Sequence, residues 1–184
     1  MQTITKDFIA KEIRSLAVLM ILMAAALGYL IFYAGISPLA LLVIPLLIAA
    51  FVFRMRGQAE DAFQRCCGEY PESWKAQVER EYQEPHPVYK VAYGEVHLMK
   101  TCVVCRNKRR LIFIPVRQVM ELEERFRRVS GRRVPHLKFA LDGGTQLEMD
   151  FSVAHPGDGE KVVSWFIDQI GPQKVRRGGE TIVR

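Results

Sequence analysis

Hydrophobic and polar positions divide the chain into unlike stretches. From Ser15 to Phe53 there is no Asp, Glu, Lys, Arg or His. At about 1.5 Å per helical residue this run exceeds one crossing of a bilayer core of about 30 Å. Gly35-Ile36-Ser37-Pro38 interrupts it with two strong breakers. The pattern predicts a transmembrane helical hairpin, with spans over 16–34 and 38–53 inside an N-terminal segment 1–56. Beyond Arg56 the composition changes. Gly57–Cys67 and Glu72–Gln83 read as helices, the second with Trp74, Val78 and Tyr82 on one face. Residues 57–84 are expected to form a juxtamembrane helical stalk. Glu84-Pro85-His86-Pro87 ends it, because each proline biases the preceding residue toward extended backbone.

From Val88 the signals are those of strands. Val88–Tyr93, Glu95–Cys105 and Leu111–Val116 are rich in β-formers, and Val119–Phe126 leans toward strand by alternation. Leu137, Phe139 and Leu141 alternate before Asp142-Gly143-Gly144, and Leu147, Met149 and Phe151 alternate after it. An Asp-Gly turn between alternating apolar runs predicts a hairpin. Val162, Val163, Phe166, Ile167 and Ile170 then form a helical stripe, with Asp158 as its expected N-cap and Gly171-Pro172 as its stop. The expected core is Leu137, Phe139, Leu141, Leu147, Met149, Phe151, Phe166 and Ile170. The fold class expected is a membrane-anchored α+β chain. Its soluble domain, 85–172, is a small antiparallel β-sheet or partial barrel closed by a C-terminal helix. The basic tail, 173–184, is expected to be disordered.

Charge adds orientation. The chain of 184 residues has a formal net charge of +6. Lys6, Lys11 and Arg14 precede the first apolar run, and Arg54 and Arg56 follow the second. The positive-inside rule then puts both termini in the cytoplasm of a multi-pass cell-membrane protein. A cleaved signal peptide is the competing reading, disfavoured by a second apolar segment directly after the first. The runs contain no ionisable side chain, which argues against transport.

The strands followed by a closing helix, with Leu111–Val119 (LIFIPVRQV) and Val162–Ile167 (VVSWFI), resemble bacterial pleckstrin-homology-like membrane proteins with an N-terminal two-helix hairpin. The resemblance covers about 88–171 plus the hairpin. It implies a membrane-tethered binding or scaffold module and not an enzyme, and it supplies no catalytic residue and no cofactor.

Candidate chemistry is sparse. Cys102-Val103-Val104-Cys105 could bind a metal or cycle as a dithiol, and a cytoplasmic-face metal or thiol-redox protein is the alternative function. Positions three apart on a strand point to opposite faces, however, so no metal ligand is assigned. His86, His97, His136 and His155 lack metal-binding spacing and read as surface or loop residues. Two basic clusters are the candidate binding residues: Arg106, Lys108, Arg109 and Arg110, and then Arg125, Arg127, Arg128, Arg132 and Arg133. They suit anionic lipid headgroups or acidic protein partners. Nucleic acid is not expected, since no recognised module is present.

Overall fold

The computed structural model describes residues 2–35, 43–92, 94–107, 110–129 and 131–181. It divides into two compact units, Gln2–Asp61 and Ala62–Arg184.

The first unit holds α1 (Gln2–Ala34) and most of α2 (Val43–Cys67). α1 is one continuous helix whose first turns carry Lys6, Asp7, Lys11, Glu12 and Arg14, with Lys11 paired to Asp7 at 3.1 Å. The described apolar part of α2, Val43–Phe53, rises about 16 Å, roughly half of a bilayer core, before Arg54. Among the described residues, no helix is long and apolar enough to cross a membrane. This corrects the transmembrane hairpin, and with it the membrane-anchored fold class, the integral-membrane partnership and the multi-pass placement with cytoplasmic termini. The turn expected at Ile36-Ser37-Pro38 and the start of the second run, to Leu42, lie outside the described residues. Ile21, Phe32 and Phe53 are 68%, 81% and 81% exposed, so these helices display apolar surface that the unit itself does not cover.

The second unit begins with the last turns of α2 and with α3 (Glu72–Gln83). α2 runs without a break through Gly57, where the sequence suggested a new helix. Two four-stranded sheets follow, in place of the single sheet or partial barrel expected. The first is an antiparallel meander of β1 (Val88–Val91), β2 (Gly94–Leu98), β3 (Cys102–Asn107) and β4 (Arg110–Pro115). The second has the order β7-β6-β5-β8. It is built from β5 (Val119–Val129), β6 (Arg132–Leu141), β7 (Gln146–Asp150) and β8 (Val175–Thr181). β5, β6 and β7 pair antiparallel, whereas β8 runs parallel to β5. A bridge between Val91 and Phe151 joins the two sheets.

Asp142-Gly143-Gly144 turns β6 into β7 with both glycines at φ near +80°, a conformation that L side chains rarely adopt. The resulting register sets Leu137 opposite Met149 and Phe139 opposite Leu147. α4 (Gly157–Ile170) packs Val162, Val163 and Phe166 into the core, and the Phe166 ring lies 5.1 Å from that of Phe139. Leu137, Phe139, Leu141, Met149, Phe151 and Phe166 are buried as the alternation predicts, and Leu147 and Ile170 pack partly buried against them. Asp158 is not the N-cap. Pro156 occupies that position, and the Asp158 carboxylate instead accepts the Lys90 backbone N–H at 3.0 Å.

α3 is docked on the first sheet and does not stand away as a stalk. Val78 is fully buried, and the Glu81 carboxylate accepts both the Thr101 backbone N–H at 2.9 Å and its hydroxyl at 2.6 Å. Hydrogen bonds to a charged group in a part-buried setting contribute about 2 kcal/mol. Glu81→Ala is therefore expected to cost about 2 kcal/mol in urea unfolding, with Glu81→Gln recovering part of the loss. A loss below about 0.5 kcal/mol would mean that this contact does not anchor α3. Finally, Val175–Thr181 forms β8, although its sequence read as disordered tail.

Candidate functional site

The β5–β6 hairpin carries the second arginine cluster, and strand alternation splits that cluster between two faces. Glu121, Glu123, Arg125, Arg127 and Val129 share one face. Leu122, Glu124, Phe126 and Arg128 share the other, which lies over the core. On the polar face, Arg125 donates to Glu123 at 2.7 Å, and that bond holds the Glu123 carboxyl below its ordinary range. Arg127 donates to Asp150 at 3.0 Å and to His136 Nε2 at 3.2 Å. A guanidinium can only donate, so Nε2 accepts and the His136 Nδ1–H donates to Asp150 Oδ1 at 2.8 Å. Glu148 lies 3.7 Å from Arg127 and 3.8 Å from Lys138. These arginines thus belong to a charge-balanced ladder across β5, β6 and β7.

At the hairpin end, like charges meet across the two strands. Arg128 stands directly opposite Arg133, and Val129 opposite Arg132. Like charges directly opposite each other destabilise a strand pair. Arg133 lies over the Phe126 ring at 3.9 Å, a cation–π contact that helps hold it there. Val129 is 44% exposed. Beside it opens a cavity of about 510 Å³, lined by Arg127, Val129, Val134, Asp150, Phe151 and Val153, among others. The cavity is mainly apolar, with the Arg127–Asp150 pair as its charged wall. That composition is typical of a site that orients a ligand through few polar groups.

The first basic cluster does not join this one as a described surface. Arg106 is half-buried in β3 opposite Glu95. Lys108 and Arg109 lie outside the described residues, as does the side chain of Arg110.

The cysteines part as strand geometry requires. Cys105 belongs to the core between the sheets, and burial pushes its thiol up to about 12. Cys102 is also fully buried, and it interacts with Cys67 at the end of α2. Burial first, and then the neighbouring Cys67, raise its thiol well above the ordinary value. Such thiols are poor nucleophiles at neutral pH. Among the described residues, no group of three or more His, Cys, Asp or Glu side chains is arranged to hold a metal ion.

The sequence reading missed the histidines. His97 and His136 are buried, not on loops. His97 Nε2 lies 3.2 Å from Glu95, and its Nδ1 lies 2.8 Å from His86 Nε2, with Tyr82 against both rings. This cluster borders a second cavity of about 420 Å³ that includes His86, Glu81, Met99 and Trp165. Glu95 and His97, two apart on a strand, were a visible signal of a shared face. The His86 contact was not, because it depends on how α3 enters β1.

Comparison with protein-family models and with curated protein sequences finds no match.

Proposed function

We propose that the chain is a non-catalytic binding module that engages an acidic protein segment at the end of the β5–β6 hairpin. The observation that carries this reading is that an apolar cavity opens beside the cationic hairpin end, with Val129, whose strand partner is Arg132, in its wall. Arg132, opposite Val129 on the cavity face, provides the nearest attraction, and Arg128 and Arg133 on the other face add to the positive field of the hairpin end. The cavity takes one apolar side chain of the partner. A binding role is also what the sequence resemblance of Leu111–Val119 and Val162–Ile167 to bacterial pleckstrin-homology-like proteins implies. The geometry of Cys102 and Cys105 gives no such support to the metal or thiol-redox alternative.

The test is fluorescence anisotropy with a labelled peptide of Glu and Asp residues around one Leu, against the same peptide with Gln and Asn. The acidic peptide is expected to bind more tightly, with affinity falling as salt rises. The triple variant Arg128→Gln, Arg132→Gln, Arg133→Gln should weaken binding about tenfold, at about 0.5 kcal/mol per exposed charge. Equal affinity for both peptides would sink the proposal.

A further inference from the structure

β8 is an unusual member of its sheet. Its sequence, VRRGGET, has one apolar residue and two glycines, and neither feature favours a strand. It pairs parallel with β5, Leu122 opposite Val175 and Glu124 opposite Arg177, and its register then slips before Phe126. Parallel pairs are somewhat less stable per residue than antiparallel ones. Arg176 reaches Glu121 at 2.8 Å and Arg177 reaches Glu124 at 3.5 Å, with the two arginine side chains 76% and 72% exposed. Exposed pairs of this kind contribute little stability. Apart from Val175, which packs partly buried against the core, the strand is held by main-chain bonds and rim charges, and such a strand belongs to the more readily opening part of a fold.

The surface beneath it is better built than the strand. Glu121, Glu123 and Glu124 line the β5 side, and Glu124 is 4% exposed, an expensive place for a carboxylate. Burial raises the Glu124 carboxyl, and Arg177 offsets part of that rise. At Gly178 an added Cβ would lie 3.1 Å from Glu123 Oε1 and 3.3 Å from the Glu124 carbonyl oxygen, so a small residue fits best there. Read from β8, the edge selects an apolar residue, two arginines and a glycine in succession.

We propose that the β5 edge is a docking site for an extended basic segment of a partner protein, and that β8 occupies it as an internal competitor. The partner adds a strand through main-chain bonds, and its two arginines take the places of Arg176 and Arg177. This site lies on the opposite side of β5 from β6, and it does not depend on the acidic segment proposed for the hairpin end. A tethered competitor acts at an effective concentration on the order of millimolar, so the edge is masked until the partner is abundant or β8 is loosened.

The experiment uses the full chain and a labelled VRRGGET peptide added in trans, read by fluorescence anisotropy. In Arg176→Glu/Arg177→Glu, β8 faces carboxylates with carboxylates. The peptide is expected to bind that variant at least tenfold more tightly than the unaltered chain. Adding Glu121→Gln and Glu124→Gln should abolish the gain. Gly178→Val loosens β8 by bulk and not by charge, and it should give the same gain if the charge variant does not fold. Peptide binding no tighter in a folded variant than in the unaltered chain would overturn the proposal. So would a gain that survives Glu121→Gln/Glu124→Gln, or loss of folding in both loosened variants, because β8 would then be an integral strand.

Discussion

Phe139→Ala is expected to lower the unfolding free energy of the sheet-bearing unit by about 3–5 kcal/mol. Phe139 is fully buried in β6, opposite Leu122 on one side and Leu147 on the other, with Phe166 of α4 across the core. Its removal takes away the ring's burial and leaves a cavity between rigid sheet and helix, where collapse is limited by the Val91–Phe151 bridge and the α4 contacts. Domains are stable by about 5–15 kcal/mol, so this one change consumes a large share. Urea unfolding should show a lower midpoint at an unchanged slope. Combined with Phe166→Ala, the two losses should fall short of additivity by about 0.5–1.5 kcal/mol, the coupling of an aromatic pair. A loss under 1 kcal/mol would mean that this pair is not the centre of the core.

The second large effect comes from adding atoms. Gly159 lies in the first turn of α4, and an added Cβ would stand 2.7 Å from both Cβ and Cγ of Pro135. The proline ring cannot rotate away as a flexible side chain would, so β6 and α4 must separate. Gly159→Leu is expected to cost about 3 kcal/mol, near the upper end for overpacking. Gly159→Ala tests the contact more sharply. On helix propensity alone it should gain up to about 1 kcal/mol. A net loss in thermal unfolding would show that the contact outweighs propensity, whereas a gain would show that the junction is slack.

Local signals in the sequence translated well into structure. The Asp142-Gly143-Gly144 hairpin and the α4 stripe were legible because turn chemistry and periodicity act over a few neighbouring residues. Most of the core followed from them. The membrane reading failed at the level of whole helices. The apolar run does not stand as a separate pair of spans in the described structure: it continues into charged turns at the start of α1 and beyond Phe53 in α2. The arginine cluster was visible as composition, but its division between a balanced ladder and a cationic end depends on partners in β6 and β7. Cys102 could be separated from Cys105 by strand geometry, yet its neighbour Cys67 lies far off in sequence. β8 was hidden for the same reason. Its stabilising partner is β5, and nothing in VRRGGET alternates.

The pairing of Leu122 with Val175 also sets a schedule. During synthesis, β5 and β6 are complete while about forty further residues, up to the end of β8, have yet to be added, a matter of several seconds at about 5–20 residues per second. Throughout that interval the nascent chain presents β5 without β8. A strand supplied by another molecule at that moment would meet no internal rival, so the order of manufacture itself could decide which strand the sheet accepts first.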